Sequence, residues 1–196
     1  MTTLDFGPTT SSLAALVRGV ADDQLGDPTP NAGRTVGDLL DHIGGLALAF
    51  TAAARKEDGP NGAPPPPGDR AHLADDWRER IPNDLATLAD AWADADAWEG
   101  TTKIAGAEMP AGVVGSVGIN EVVAHGWDLA RATGQSFTVD AVTLEGCFEF
   151  MAPISQPGME AARQPAFGPV VGERDDAPAL DRLVALTGRD PEWTPA

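Results

Sequence analysis

The sequence predicts an all-α protein, a four-helix bundle carrying a short C-terminal helical extension. Apolar residues recur at helical spacing along most of the chain, and clusters of Pro and Gly separate the periodic stretches. Strand-like alternation of apolar and polar residues is not convincing anywhere. Residues 1–152 are expected to form the bundle, and residues 153–196 an extension packed on the same domain. The length of 196 residues and the apolar fraction of 42% suit a single domain with a real core.

Residues 11–24 place Leu13, Leu16, Val17 and Val20 at helix spacing, with Ser11 or Ser12 as the N-cap. The breaker-rich run 26–33 separates this helix from the next. Thr35-Val-Gly-Asp38 reads as a capping box with Asp in place of the usual Glu. Behind it, Val36, Leu39, Leu40, Ile43, Leu46, Ala47 and Phe50 form one wide apolar stripe, and His42 lies on its flank, within reach of the interior. Residues 57–69, EDGPNGAPPPPGD, exclude a helix and predict an exposed, partly polyproline loop, a candidate lid over a site. A third helix is expected from about residues 69–71, carrying Leu73, Trp77, Ile81, Leu85, Leu88 and Trp92 on one side and kinked at Pro82. Residues 99–110 form a loop or a brief strand. A fourth helix runs from Pro110 or Ala111 to Thr133 with Gly134 as its C-cap, a fifth covers 139–151, and a short one covers 179–187 before Gly188.

Composition narrows the functions. The 13 Lys+Arg against 30 Asp+Glu leave a formal charge of −17, and a sequence pI near 4.2 argues against nucleic acid or an anionic membrane as partner. No uninterrupted apolar run reaches the ~18 residues of a membrane span, and the first residues have no signal-peptide pattern. Cys147 is the only cysteine, which excludes an internal disulfide and a multi-cysteine metal site. There is no tyrosine, and only Lys56 and Lys103 could serve a Schiff base or clamp a phosphate. These features predict a cytoplasmic protein, monomer or homodimer, whose partner is a small molecule.

The fourth helix concentrates the chemistry. Val113, Val114, Val117, Ile119, Val122, Val123, Trp127 and Leu129 surround it, which is the pattern of a buried helix. Glu121 and His125 nevertheless stand four residues apart, on one face and about 6 Å apart along the axis. A carboxylate there costs several kcal/mol unless paired, protonated or metal-bound. The plain alternative is a Glu–His hydrogen bond or a solvated edge. Of the three histidines, His42 is the natural partner across the bundle, and His42, Glu121 and His125 together offer a three-ligand divalent site. Asp128 is placed to orient His125, or else is an exposed charge beside Arg131. Asp38 reads as a cap and Asp41 as solvent-facing. His72 reads as a solvated residue at a helix start, the tryptophans as core, and Cys147 as a small buried hydrophobe.

The strings Thr35-Val-Gly-Asp-Leu-Leu-Asp-His42 and Glu121-Val-Val-Ala-His125-Gly-Trp-Asp128-Leu-Ala, with the closing Leu183-Val-Ala-Leu-Thr-Gly-Arg-Asp-Pro191, carry a resemblance. The chain resembles an actinobacterial family of metal-binding proteins related to the N-terminal domain of mycothiol-dependent maleylpyruvate isomerase, within the DinB/YfiT-like bundle superfamily. The resemblance implies a divalent metal, zinc first and nickel, iron or manganese as alternatives, held by His42, Glu121 and His125. It also implies mycothiol or a similar low-molecular-weight thiol as cosubstrate in transferase or isomerase chemistry. That isomerase carries a further C-terminal domain for which the residues after Pro153 leave no room, which argues against maleylpyruvate isomerisation itself. A metal-dependent hydrolase and a non-catalytic, stress-linked metal-binding bundle are the competing readings. His42, Glu121 and His125 are read as ligands and not as the base, and no catalytic residue is assigned.

Overall fold

A computed structural model describes residues 3–57, 68–164, 166–172 and 176–195. Seven helices and one hairpin follow in the order α1 (Gly7–Gly19), α2 (Val36–Ala54), α3 (Trp77–Trp92), β1 (Thr101–Ile104), β2 (Ala107–Pro110), α4 (Ala111–Thr133), α5 (Ala141–Ile154), α6 (Glu160–Arg163) and α7 (Ala179–Leu186). Helices α1 to α4 make the four-helix bundle: α1 and α2 each pack on α3 and on α4. Helix α5 covers α4 and meets α7. The core runs through the bundle axis, with Leu13, Leu40, Ile81, Leu85, Ile119 and Leu129 among its most enclosed side chains.

The local reasons for these elements are legible. In α2, Asp38 N–H donates to Thr35 Oγ1 at 3.2 Å while Thr35 N–H donates to Asp38 Oδ2 at 2.8 Å, so the expected capping box is present. Gly134 closes α4 at φ 69°, the left-handed conformation a C-cap glycine supplies. Helix α1 starts at Gly7, earlier than the sequence suggested, because Pro8 fits the first turn, where no N–H is needed. It also ends earlier, and Asp22–Gly26 tightens into a 3₁₀ turn. The expected start of α3 near residue 70 is instead a 3₁₀ turn, Arg70–His72, in which Ala71 N–H donates to Asp69 Oδ1 at 2.9 Å. Leu73 and Ala74 follow as irregular chain, and the helix begins at Trp77. Residues 99–110 fold as a hairpin, with Thr102 opposite Met109 and Lys103 opposite Glu108. Its two-residue turn, Ala105-Gly106, has positive φ at both positions, as the twist of a tight hairpin demands.

Of the candidate lid, residues 58–67 lie outside the described residues. Its far end is anchored: Asp69 N–H donates to Asp41 Oδ2 at 3.0 Å, and Arg34 Nη1 to the Gly68 carbonyl at 3.1 Å. Among the described residues, α2 is long and apolar enough to cross a membrane by length and composition, but 56% of that window is buried in the bundle. Its apolar stripe is therefore spent on the core.

After α7 the chain turns at Gly188 (φ 94°), where an added Cβ would stand 2.8 Å from Gly168 Cα. Gly188→Ala is expected to cost at least about 1–3 kcal/mol from the backbone conformation alone, with the clash added. Urea unfolding of the two proteins checks this.

Candidate metal centre

Helix α4 is enclosed on nearly all sides, so its polar groups need partners inside the protein. Glu121 and His125, one turn apart, meet each other, with His125 Nε2 3.0 Å from Glu121 Oε2. Helix α2 brings His42 alongside. Its ring stands edge-on to that of His125, with centroids 4.9 Å apart and planes at 89°. One ligand atom from each of His42, Glu121 and His125 lies within 4.8 Å of the other two. His125 and Glu121 are buried and His42 half-buried. The three residues selected from the sequence converge, although Glu121 follows His42 by 79 positions in the chain.

The second nitrogen of His125 decides where the first one points. Nδ1 lies 3.1 Å from Asp128 Oδ2, so Nδ1–H donates to the carboxylate and Nε2 is left for the cluster. Metal-ligating imidazoles are oriented in this way by carboxylates behind them. The cluster therefore fits a divalent cation: two imidazole nitrogens and one carboxylate, with one ring already aimed. Burial opposes a charge on His125, yet the hydrogen bonds to Asp128 and Glu121 outweigh it and hold the imidazole pKa above its ordinary value. A cation at Nε2 has to displace that proton. Affinity is thus expected to rise about tenfold per pH unit until the raised pKa is passed, then level off. Calorimetric titration with zinc across pH, in buffers of different ionisation enthalpy, reads both the slope and the proton released.

Asp128 is fully enclosed, so the alternative of an exposed charge beside Arg131 is set aside. Its arginine is Arg189, with Nη2 3.0 Å from Oδ2. Burial opposes the carboxylate's charge, but Arg189 and then His125 hold its pKa below the usual range. Arg131 instead reaches the carbonyls of Pro191 (3.0 Å) and Trp193 (2.7 Å). Arg189 was missed by sequence reasoning. Its one signal is its place directly after Gly188, inside the closing Thr-Gly-Arg-Asp-Pro string.

The other candidates stand apart. Asp38 caps α2 and accepts the Arg70 N–H at 2.8 Å. His72 is exposed on its 3₁₀ turn, Trp77 and Trp92 are core, and Trp127 is buried beneath the Arg131 guanidinium. Burial pushes the Cys147 thiol up to about 12. Thiol reagents at pH 8 are expected to leave Cys147 unmodified in the folded protein and to label one thiol per chain in denaturant. Beside Glu121 and His125 lies a cavity of about 10 Å³, walled by Leu13, Leu46, Phe50, Leu88 and Val122. That is room for about one water.

The model of the mycothiol maleylpyruvate isomerase N-terminal domain family matches residues 6–130, which includes all three clustered residues and Asp128. The chain belongs to that family. It is also 30% identical over 179 residues to an uncharacterised protein of Mycobacterium tuberculosis, in strains CDC 1551 and H37Rv, covering 91% of this chain and 92% of the relative. Among solved structures, the crystal structure of the mycothiol-dependent maleylpyruvate isomerase superposes with a TM-score of 0.56 at 22% identity, covering 77% of this chain and 67% of that one. At that identity the likeness shows a shared helical fold.

Proposed function

We propose that this family member is a divalent-metal enzyme of the thiol-transferase or isomerase type, using a low-molecular-weight thiol of the mycothiol kind on a small electrophilic substrate. The observation that carries the reading is the convergence of His42, Glu121 and His125, with His125 aimed by Asp128. The family match and the isomerase's fold support the thiol. Zinc is the resident ion of this reading, and the cytoplasm its compartment. A bound divalent ion supplies the deprotonation of a thiol at neutral pH. The chain's own residues do the rest. His42 and His125 present imidazole nitrogens from facing helices, and Glu121 contributes negative charge that offsets a dication. Asp128 keeps the His125 proton on Nδ1. Leu46, Phe50 and Val122 give the inner side of the site an apolar lining.

Cobalt-substituted protein tests this reading. Addition of a mycothiol-type thiol is expected to change the cobalt absorption spectrum, and an unchanged spectrum at saturating thiol overturns it. A two-His, one-Glu donor set is also that of metal hydrolases, which favours hydrolysis as the second reading. Turnover of an ester or amide without added thiol would establish it.

A further inference from the structure

The carboxylate that aims His125 is itself gripped by a part of the chain that the family match does not reach. That match ends at residue 130, whereas Arg189 lies 61 residues after Asp128. Its Nη2 donates to Asp128 Oδ2 at 3.0 Å, and its Nε lies 3.3 Å from each carboxylate oxygen. Its Nη1 donates to the Thr187 carbonyl at 3.2 Å. The Asp128 side chain is wholly enclosed, and that of Arg189 is 10% exposed.

The segment bearing Arg189 is fixed on several sides. Gly188 turns tightly against Gly168, Arg163 donates to the carbonyls of Gly168 and Leu186, and Arg131 holds those of Pro191 and Trp193. Such a guanidinium fork fixes the carboxylate's rotation, because turning it breaks several charge-assisted bonds together. Oδ2, the oxygen that meets Arg189 Nη2, is also the one that meets His125 Nδ1. A ring tied to a fixed oxygen has a fixed plane, and that plane sets the direction of Nε2.

We propose that Arg189 is a positioning residue for His125, acting through Asp128, so that the C-terminal segment sets the geometry of the metal centre. This rests on the metal reading above. Cobalt(II) alone is the probe, titrated into the full chain while the d–d absorption is followed. Arg189→Met is expected to lower cobalt affinity about 10–100-fold and to alter the d–d envelope. Arg189→Lys keeps the charge but loses the fork. It is expected to keep wild-type helicity by circular dichroism and still to lose affinity about tenfold or more.

In an Asp128→Asn background, adding Arg189→Lys is expected to change nothing further. Should Arg189→Met fail to fold, the lysine variant decides. A folded Arg189→Lys protein with wild-type affinity and spectrum overturns the proposal, as does an undiminished effect of that change in the Asp128→Asn background. Wild-type protein that takes up no cobalt overturns the metal reading and this inference with it. Normal wild-type uptake with indifferent Arg189 variants removes the positioning role alone.

Discussion

His125→Ala is expected to lower zinc and cobalt affinity by well over about 100-fold, because loss of a ligand exceeds the 10–100-fold cost of losing a residue that only orients one. The substitution removes a side chain that touches both Glu121 and Asp128. It therefore also strips a partner from two buried carboxylates. His42→Ala removes the imidazole that α2 contributes to the cluster and is likewise expected to abolish tight binding. Equilibrium dialysis followed by elemental analysis measures both losses of binding. Equal metal content in wild type, His42→Ala and His125→Ala would remove the basis for any metal chemistry here.

Asp128→Ala is expected to destabilise the metal-free protein by about 3–5 kcal/mol, the usual cost of breaking a buried ion pair from one side. Arg189 would keep its charge in an enclosed site where, among the described residues, its remaining hydrogen bond is to the Thr187 carbonyl. Comparison with Asp22 and Arg78 shows why burial and not distance decides. Those two meet at 2.6 Å but are 83% and 37% exposed, and exposed pairs contribute only about 0–1 kcal/mol. Asp22→Ala is accordingly expected to shift the urea midpoint little. A loss of under about 1 kcal/mol for Asp128→Ala would mean that water reaches Arg189 freely.

The bundle was legible because its cues are local. The Thr35–Asp38 box, the 3.6-residue stripe of α2 and the glycine after α4 each act within a few residues, and each appears where the pattern puts it. Element starts were less legible. Both α1 and α3 shift because a proline or a competing 3₁₀ turn decides the first residues, and these preferences differ by less than tertiary packing supplies. The hairpin is too short for periodicity to distinguish it from loop. In the site, His42, Glu121 and His125 were readable because polar residues on an otherwise buried helix require partners. Asp128 was only half readable, since spacing shows its reach to His125 but not its burial. Arg189 was unreadable, because its partner lies 61 residues away and no short-range pattern encodes that approach.

The dependence of Asp128 on Arg189 has a consequence for how the protein comes to be made. A ribosome adds about 5–20 residues per second, so Arg189 is added some 3–12 s after Asp128. During that interval the nascent bundle holds an acidic side chain that has not yet met its counter-charge. On the proposed metal reading, the centre reaches its final setting only at the end of synthesis, and a messenger truncated before codon 189 would yield an Asp128 without its guanidinium.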